Sequence, residues 1–181
     1  TAAALRKRLQ EICNAVILGD QDEFAVTEDK KDPNYIKASW SHSAASHEGY
    51  DYGEYYAEVD LGNQIVYLID HGKCIWSSSC VSGMMTKERY TPGGIYAVTY
   101  KQLHRVLTGY NPDGSVQYRS PVTYWMPFNK GIGFHDATWR GTFGGSIYVY
   151  GGSHGCINLP FSKAKLLYDL VYTGMPVILY Y

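Results

Sequence analysis

No apolar run in this chain reaches the roughly eighteen residues needed to cross a bilayer as a helix. The N-terminus carries no secretory signal pattern and does not begin with Met. Charge is scarce as well. Lys and Arg number 16 against 17 Asp and Glu, giving a net charge of -1 and a pI near 6.5. There is no clustered basic surface of the kind that binds nucleic acid or anionic lipid, and Arg6-Lys7-Arg8 reads as a solvated helix face. Cys-x-x-Cys and His-x-x-x-His pairs are missing, so the common zinc spacings are excluded and neither metal nor cofactor is expected. His42 and His47 are five residues apart, which reads as coincidence. Only four cysteines occur, Cys13, Cys74, Cys80 and Cys156. If residues 73–81 form one strand, Cys74 and Cys80 lie about 20 Å apart at ~3.3 Å per residue, beyond disulfide reach. Internal repeats and low-complexity tracts are absent.

What is present is a folding chain. With 181 residues, 45% of them hydrophobic and 18% charged, it can bury one sizeable core and carry a small appendage. Residues 4–18 place Leu5, Leu9, Ile12, Cys13, Val16 and Ile17 at helical spacing, with Gly19 as a stop. Residues 20–53 are polar and irregular, with a turn at Asp32-Pro33-Asn34. From residue 55 the pattern becomes β-type: strands are expected at 55–60, 64–69, 73–80, 95–100, 116–119, 122–126, 132–135 and 177–181. One internal helix is expected at 162–172, capped by Ser162, with Leu166, Leu167, Leu170 and Val171 as its apolar face. The fold class is therefore mainly β with one packed helix, plus an N-terminal helical segment. Residues 1–54 are set apart from a main domain at 55–181.

Chemistry concentrates in Gly152-Ser153-His154-Gly155-Cys156-Ile157-Asn158, preceded by Gly133-Phe134-His135. A thiol is a strong nucleophile at neutral pH only when its pKa is lowered or a base lies within hydrogen-bond reach, and histidine is the usual base. In an extended stretch His154 and Cys156 share a face, while His135 arrives from elsewhere in the chain. Gly155, lacking a Cβ, permits a tight backbone whose amides can converge on an oxyanion. Taken singly, a buried cysteine or a hydrogen-bonded histidine would be ordinary core chemistry.

These residues resemble the L,D-transpeptidase family with a YkuD-type catalytic domain: His135, a seventeen-residue spacer from Asp136 to Gly152, then Ser153-His154-Gly155-Cys156-Ile157-Asn158. Asp60-Leu61-Gly62-Asn63-Gln64, Val81-Ser82-Gly83 and Thr91-Pro92-Gly93-Gly94-Ile95-Tyr96 also look like segments of that family, and residues 1–54 resemble the end of a peptidoglycan-binding domain. The resemblance implies a β-sandwich of mixed sheets and a wall-facing, extracytoplasmic enzyme whose membrane tie is an N-terminal anchor or signal outside this sequence. It implies that Cys156 attacks a stem tetrapeptide of peptidoglycan, expels the terminal D-Ala, and passes the acyl group to an amine of a second stem to form a 3-3 crosslink. Carbapenem β-lactams would acylate the same thiol.

The same resemblance makes His135 the base. In an extended segment the Asp136 side chain points away from the imidazole, so its backbone carbonyl is the expected partner that fixes the tautomer, and its carboxylate reads equally well as a solvated loop group. His154 is expected on the oxyanion side, with the amides of Gly155 and Cys156 as donors. Ser153 and Asn158 would brace the loop, and Trp139, Tyr124, Trp125 and Met126 would wall the substrate pocket or pack the core. The sequence leaves open an exchange of roles between the two histidines, an L,D-carboxypeptidase in which water attacks the thioester, a non-catalytic wall-binding module, and a zinc site.

Overall fold

A computed structural model describes residues 53–181; the expected helix at 4–18, the irregular stretch up to residue 52 and Cys13 lie outside them. Among the described residues nine strands run in the order β1 Tyr55–Asp60, β2 Ile65–Asp70, β3 Lys73–Ser79, β4 Gly94–Ala97, β5 Gln102–Tyr110, β6 Val116–Asn129, β7 Ile132–Asp136, β8 Ile157–Leu159 and β9 Pro176–Tyr180. Two helices, α1 Ile147–Gly151 and α2 Phe161–Leu170, flank β8. One sheet has the order β3-β2-β1-β9-β4 and the other β5-β6-β7-β8. Both are mixed: β1 pairs parallel with β9 and β7 parallel with β8, while their other pairings are antiparallel.

Two sheets need a shared apolar interior. Ala57, Val59, Leu61, Val66 and Leu68 from the first sheet region meet Met126, Phe128, Phe134, Ile157 and Leu159 from the second in one buried cluster. Fully burying the larger of these side chains stabilises by about 1.5–3 kcal/mol each before entropy is counted. Helix α2 closes the cluster through Ala164 and Leu167, with Val171 one turn on.

Several expected boundaries shift. The stretches 116–119 and 122–126 are one 14-residue strand, β6, running through Ser120 and Pro121. Pro121 pairs with Val106 of β5 in the outer half of β6, where β7 does not reach and β6 has a free edge. Strand β5 has no counterpart among the expected strands. Its residues are mostly exposed, so it lacks the one-sided apolar alternation that marks a half-buried strand. The strand expected at 95–100 shortens to β4, and the short parallel strand β8 and the five-residue helix α1 are additional. Helix α2 starts after Pro160 rather than at Ser162, whose side chain makes no cap. Its inward face is Ala164, Leu167 and Val171, whereas Leu166 and Leu170 are exposed. Cys80 is buried and Cys74 exposed at opposite ends of the β3 segment, and both are free thiols.

Candidate active site

Strand alternation sorts the residues of the second sheet into two faces. Across the β6–β7–β8 ladder Met126, Phe134 and Ile157 stand in register, all fully buried in the shared core. One position along, Trp125, His135 and Asn158 stand in register on the opposite face. Cys156 lies two residues before Asn158, at the point where the glycine-rich loop enters β8. A cavity of about 190 Å³ opens on that face, lined by His135, Trp139, Arg140, Ser153, His154, Cys156 and Asn158 together with Leu107, Tyr118, Ser120 and Gly152.

The imidazole of His135 is buried, and its Nδ1 is 2.8 Å from the backbone carbonyl of Asp136. A carbonyl can only accept, so Nδ1 carries the proton and Nε2 is left as a lone-pair acceptor. Burial pushes the His135 pKa down to about 4, partly opposed by the Asp136 carbonyl and carboxylate. The ring is neutral at pH 7. The Asp136 carboxylate is not a solvated loop group: buried, it accepts the backbone N–H groups of Thr123 at 2.8 Å and Tyr124 at 2.7 Å, tying the end of β7 to β6.

Cys156 is half-buried, and its thiol donates to the carbonyl of Gly131 at 3.5 Å. Burial pushes its pKa up to about 11 against a backbone hydrogen bond from Gly133 that pulls the other way. Thiol and imidazole thus rest as a neutral pair. His154 is exposed, its ring 4.3 Å from that of Tyr118, and its pKa is lowered first by partial burial and then by the charge of Arg89. Tyr118 comes from the outer half of β6; burial raises its pKa, and the neighbouring Cys156 raises it further.

The loop that presents Cys156 is held from below. Ser153 Oγ donates to the Cys156 carbonyl at 2.5 Å and accepts the Gly155 amide at 3.0 Å. The Gly155 N–H, expected to face an oxyanion, is therefore taken up by the loop's own serine turn. Gly155 has φ +121, a conformation that side-chain-bearing residues rarely adopt. Its carbonyl accepts from Thr91 Oγ1 at 2.7 Å, and Thr91 Oγ1 in turn accepts from the Gly83 amide at 2.8 Å. A Cβ on Gly83 would stand 2.9 Å from Gly155 Cα and collide with the Arg89 carbonyl, so this crossing requires glycine.

One layer deeper, buried Gln64 donates to the Leu61 carbonyl at 2.6 Å and to Ser82 Oγ at 2.7 Å, and accepts the Ser82 amide at 2.8 Å. The Ser82 carbonyl accepts the Ser153 amide at 2.8 Å, so the β1–β2 turn reaches the loop that carries Cys156 through a buried polar chain. Replacing Gln64 by Leu strands those groups and is expected to cost about 2–3 kcal/mol in denaturant unfolding. Cys156 acylation should also slow. Unchanged stability would show that the chain of bonds does not hold the loop.

The structure gathers His135, Trp139, Ser153, His154, Cys156 and Asn158 at one cavity; Gly155, in the same loop, is not among its lining residues. Asn158 is fixed by two backbone bonds to Val81, at 2.9 and 3.0 Å. It does not bring Tyr124, Trp125 or Met126 there. Tyr124 packs against Phe161 and Tyr168 of α2, Met126 is fully buried in the core, and Trp125 backs the His135 ring at 6.0 Å while its Nε1 donates to Tyr100 Oη at 3.2 Å. The aromatic wall is instead Trp139, 5.9 Å from the His135 ring, and Tyr118. Leu107, Tyr118, Ser120 and Arg140 also line the cavity but are not legible in the sequence, since a lone Tyr or Arg outside a motif carries no spacing signal.

Two mixed sheets enclose one core, and a thiol and a tautomer-locked imidazole share one cavity on the outer face of the second sheet. The YkuD model, described as the L,D-transpeptidase catalytic domain, matches residues 54–179, and the chain belongs to that family. The solved catalytic domain of the Enterococcus faecium L,D-transpeptidase is 40% identical over 72% of this chain and 100% of that one, with TM-score 0.63. The same domain acylated by ertapenem is 41% identical, covering 70% and 97% of the two chains, with TM-score 0.62. A longer Enterococcus faecium L,D-transpeptidase structure, a cysteine-to-serine mutant, is 38% identical over 71% of this chain, with TM-score 0.65; this chain spans 50% of its length. No match is found among curated protein sequences.

Proposed function

We propose that this chain is an L,D-transpeptidase that uses Cys156 to cut a stem tetrapeptide of peptidoglycan and crosslink it to a second stem. The observation that carries the reading is the His135 tautomer: Nδ1–H held by the Asp136 carbonyl leaves Nε2 as an acceptor at the cavity that Cys156 also lines. As Cys156 Sγ attacks the carbonyl before the terminal D-Ala, its proton passes to His135 Nε2. The C–N bond then breaks, the proton goes from His135 to the departing amine, and a thioester remains on Cys156. An amine of a second stem gives a proton to His135, attacks the thioester and restores the thiol, leaving a 3-3 crosslink.

With the Gly155 amide engaged by Ser153, the donors at hand for the oxyanion are the Cys156 amide and the Tyr118 hydroxyl. His154, packed at a tilt against the Tyr118 ring, supports that phenol. The ertapenem-acylated relative supports carbapenems as covalent inhibitors here. A substrate in the wall implies an extracytoplasmic site of action, and an N-terminal anchor or signal in the full protein. Incubation with disaccharide tetrapeptide should give crosslinked dimer and free D-Ala by mass spectrometry. Tripeptide without dimer would make it an L,D-carboxypeptidase. No product and no carbapenem adduct would leave a wall-binding module.

A further inference from the structure

The cavity has one permanently charged lining residue, and it is a cation without a counter-ion among the described residues. Arg140 follows β7 in a turn closed by its own amide on the Ala137 carbonyl at 3.0 Å. One guanidinium N–H is used, by the Gly151 carbonyl at 2.7 Å, while Nε is buried with no acceptor among the described residues. Among those residues the carboxylate ion pairs fall on His71, with Glu54 and Asp70, and none reaches Arg140. The Asp136 carboxylate, next to His135, takes two β6 amides on its Oδ1 and makes no ion pair with Arg140 among the described residues. A half-buried guanidinium is costly unless something pairs it, and its fork matches a carboxylate bidentately. A second cation, Arg89, acts on both His154 and Tyr118.

We infer that Arg140 is the recognition point for a free carboxylate of the donor peptide, pairing with it as the scissile carbonyl reaches Cys156. This rests on the transpeptidase reading. Two carboxylates of a stem peptide have the right chemistry: the C-terminal one of the departing D-Ala, and the α-carboxylate of the isoglutamate residue. Pairing would orient the donor and make Arg140 a specificity residue, with no part in proton transfer.

The test is binding to the Cys156→Ser protein, where chemistry does not intervene. Calorimetry would compare a stem tetrapeptide as free acid, as its C-terminal amide, and with only the isoglutamate carboxylate amidated, with Arg140 intact and in the Arg140→Met variant. One of the two amidations should weaken binding roughly 10- to 100-fold when Arg140 is present, and less than about threefold after Arg140→Met. Whichever amidation does so identifies the carboxylate. Arg140→Lys, which keeps charge but loses the fork, should fall between, and serves if Arg140→Met does not fold. Equal affinity for all three peptides with Arg140 intact, or an acid preference that survives Arg140→Met, would overturn the inference. Turnover of the free-acid peptide by the unmutated enzyme is read separately, so failure of the transpeptidase reading is distinguishable from failure of carboxylate recognition.

Discussion

Cys156→Ser is expected to lower the rate of covalent labelling by ertapenem at least ~10⁴-fold while leaving the melting temperature within a few degrees. The two side chains are nearly isosteric and Cys156 is only half-buried, so little packing is lost. On the proposed mechanism the chemistry is lost because of the base. His135, with its pKa pushed down to about 4, is a weak acceptor, and it works only for a group as acidic and as nucleophilic as a thiol. A serine hydroxyl is far harder to deprotonate. Peptide mapping must separate the two other described thiols: Cys80 is buried with its pKa raised, and Cys74 is exposed but outside the cavity lining. Labelling of the Ser variant within tenfold of the parent rate, at a peptide that holds neither Cys13 nor Cys74, would remove Cys156 from its role.

Most legible in the sequence are the parts whose chemistry is local. Strands β1 and β2 can be read because a short turn joins two apolar runs, and the Asp60 carboxylate that closes the turn bonds Asn63 within three residues. The Ser-His-Gly-Cys stretch can be read because thiol, loop-bracing serine and strained glycine are contiguous. The expectation that the Asp136 backbone, rather than its side chain, meets His135 follows from strand alternation alone, and the 2.8 Å contact has that form. What cannot be read depends on distant partners. Tyr118 reaches the cavity only because β6 continues past Pro121 into an exposed hairpin, and Tyr124 and Met126 leave it because β6 turns their faces toward α2 and the core. The segments 81–83 and 91–96 could be recognised by resemblance, yet their reason is a three-dimensional crossing of Gly83 under Gly155 clamped by Thr91.

Of the two histidines, His135→Ala is expected to slow acylation about 10²–10⁴-fold, whereas His154→Ala should cost far less, because it removes only the support of Tyr118. The pH profile separates base from support. A neutral pair with pKa values of about 4 and about 11 predicts a β-lactam acylation rate that is flat from about pH 5 to 10 and is lost as pH falls through 4, when His135 Nε2 is protonated. Alkylation by iodoacetamide, which needs the thiolate, should instead be slow at pH 7 and rise about tenfold per pH unit toward 11. Fast, pH-independent alkylation between pH 6 and 8 would mean a resting thiolate–imidazolium pair and would sink this description. Stability follows the same group. The folded pKa of His135 lies below its unfolded value of 6.5, so the unfolded chain takes up the proton first, and stability present above pH 6.5 is lost as pH falls toward 4. The loss is roughly 3 kcal/mol at ~1.4 kcal/mol per unit, and His135→Asn should abolish that part of the acid sensitivity in denaturant titrations. If His154→Asn removed it instead, the exposed histidine would be the buried-proton site, and its claim to be the base would have to be taken up in place of His135.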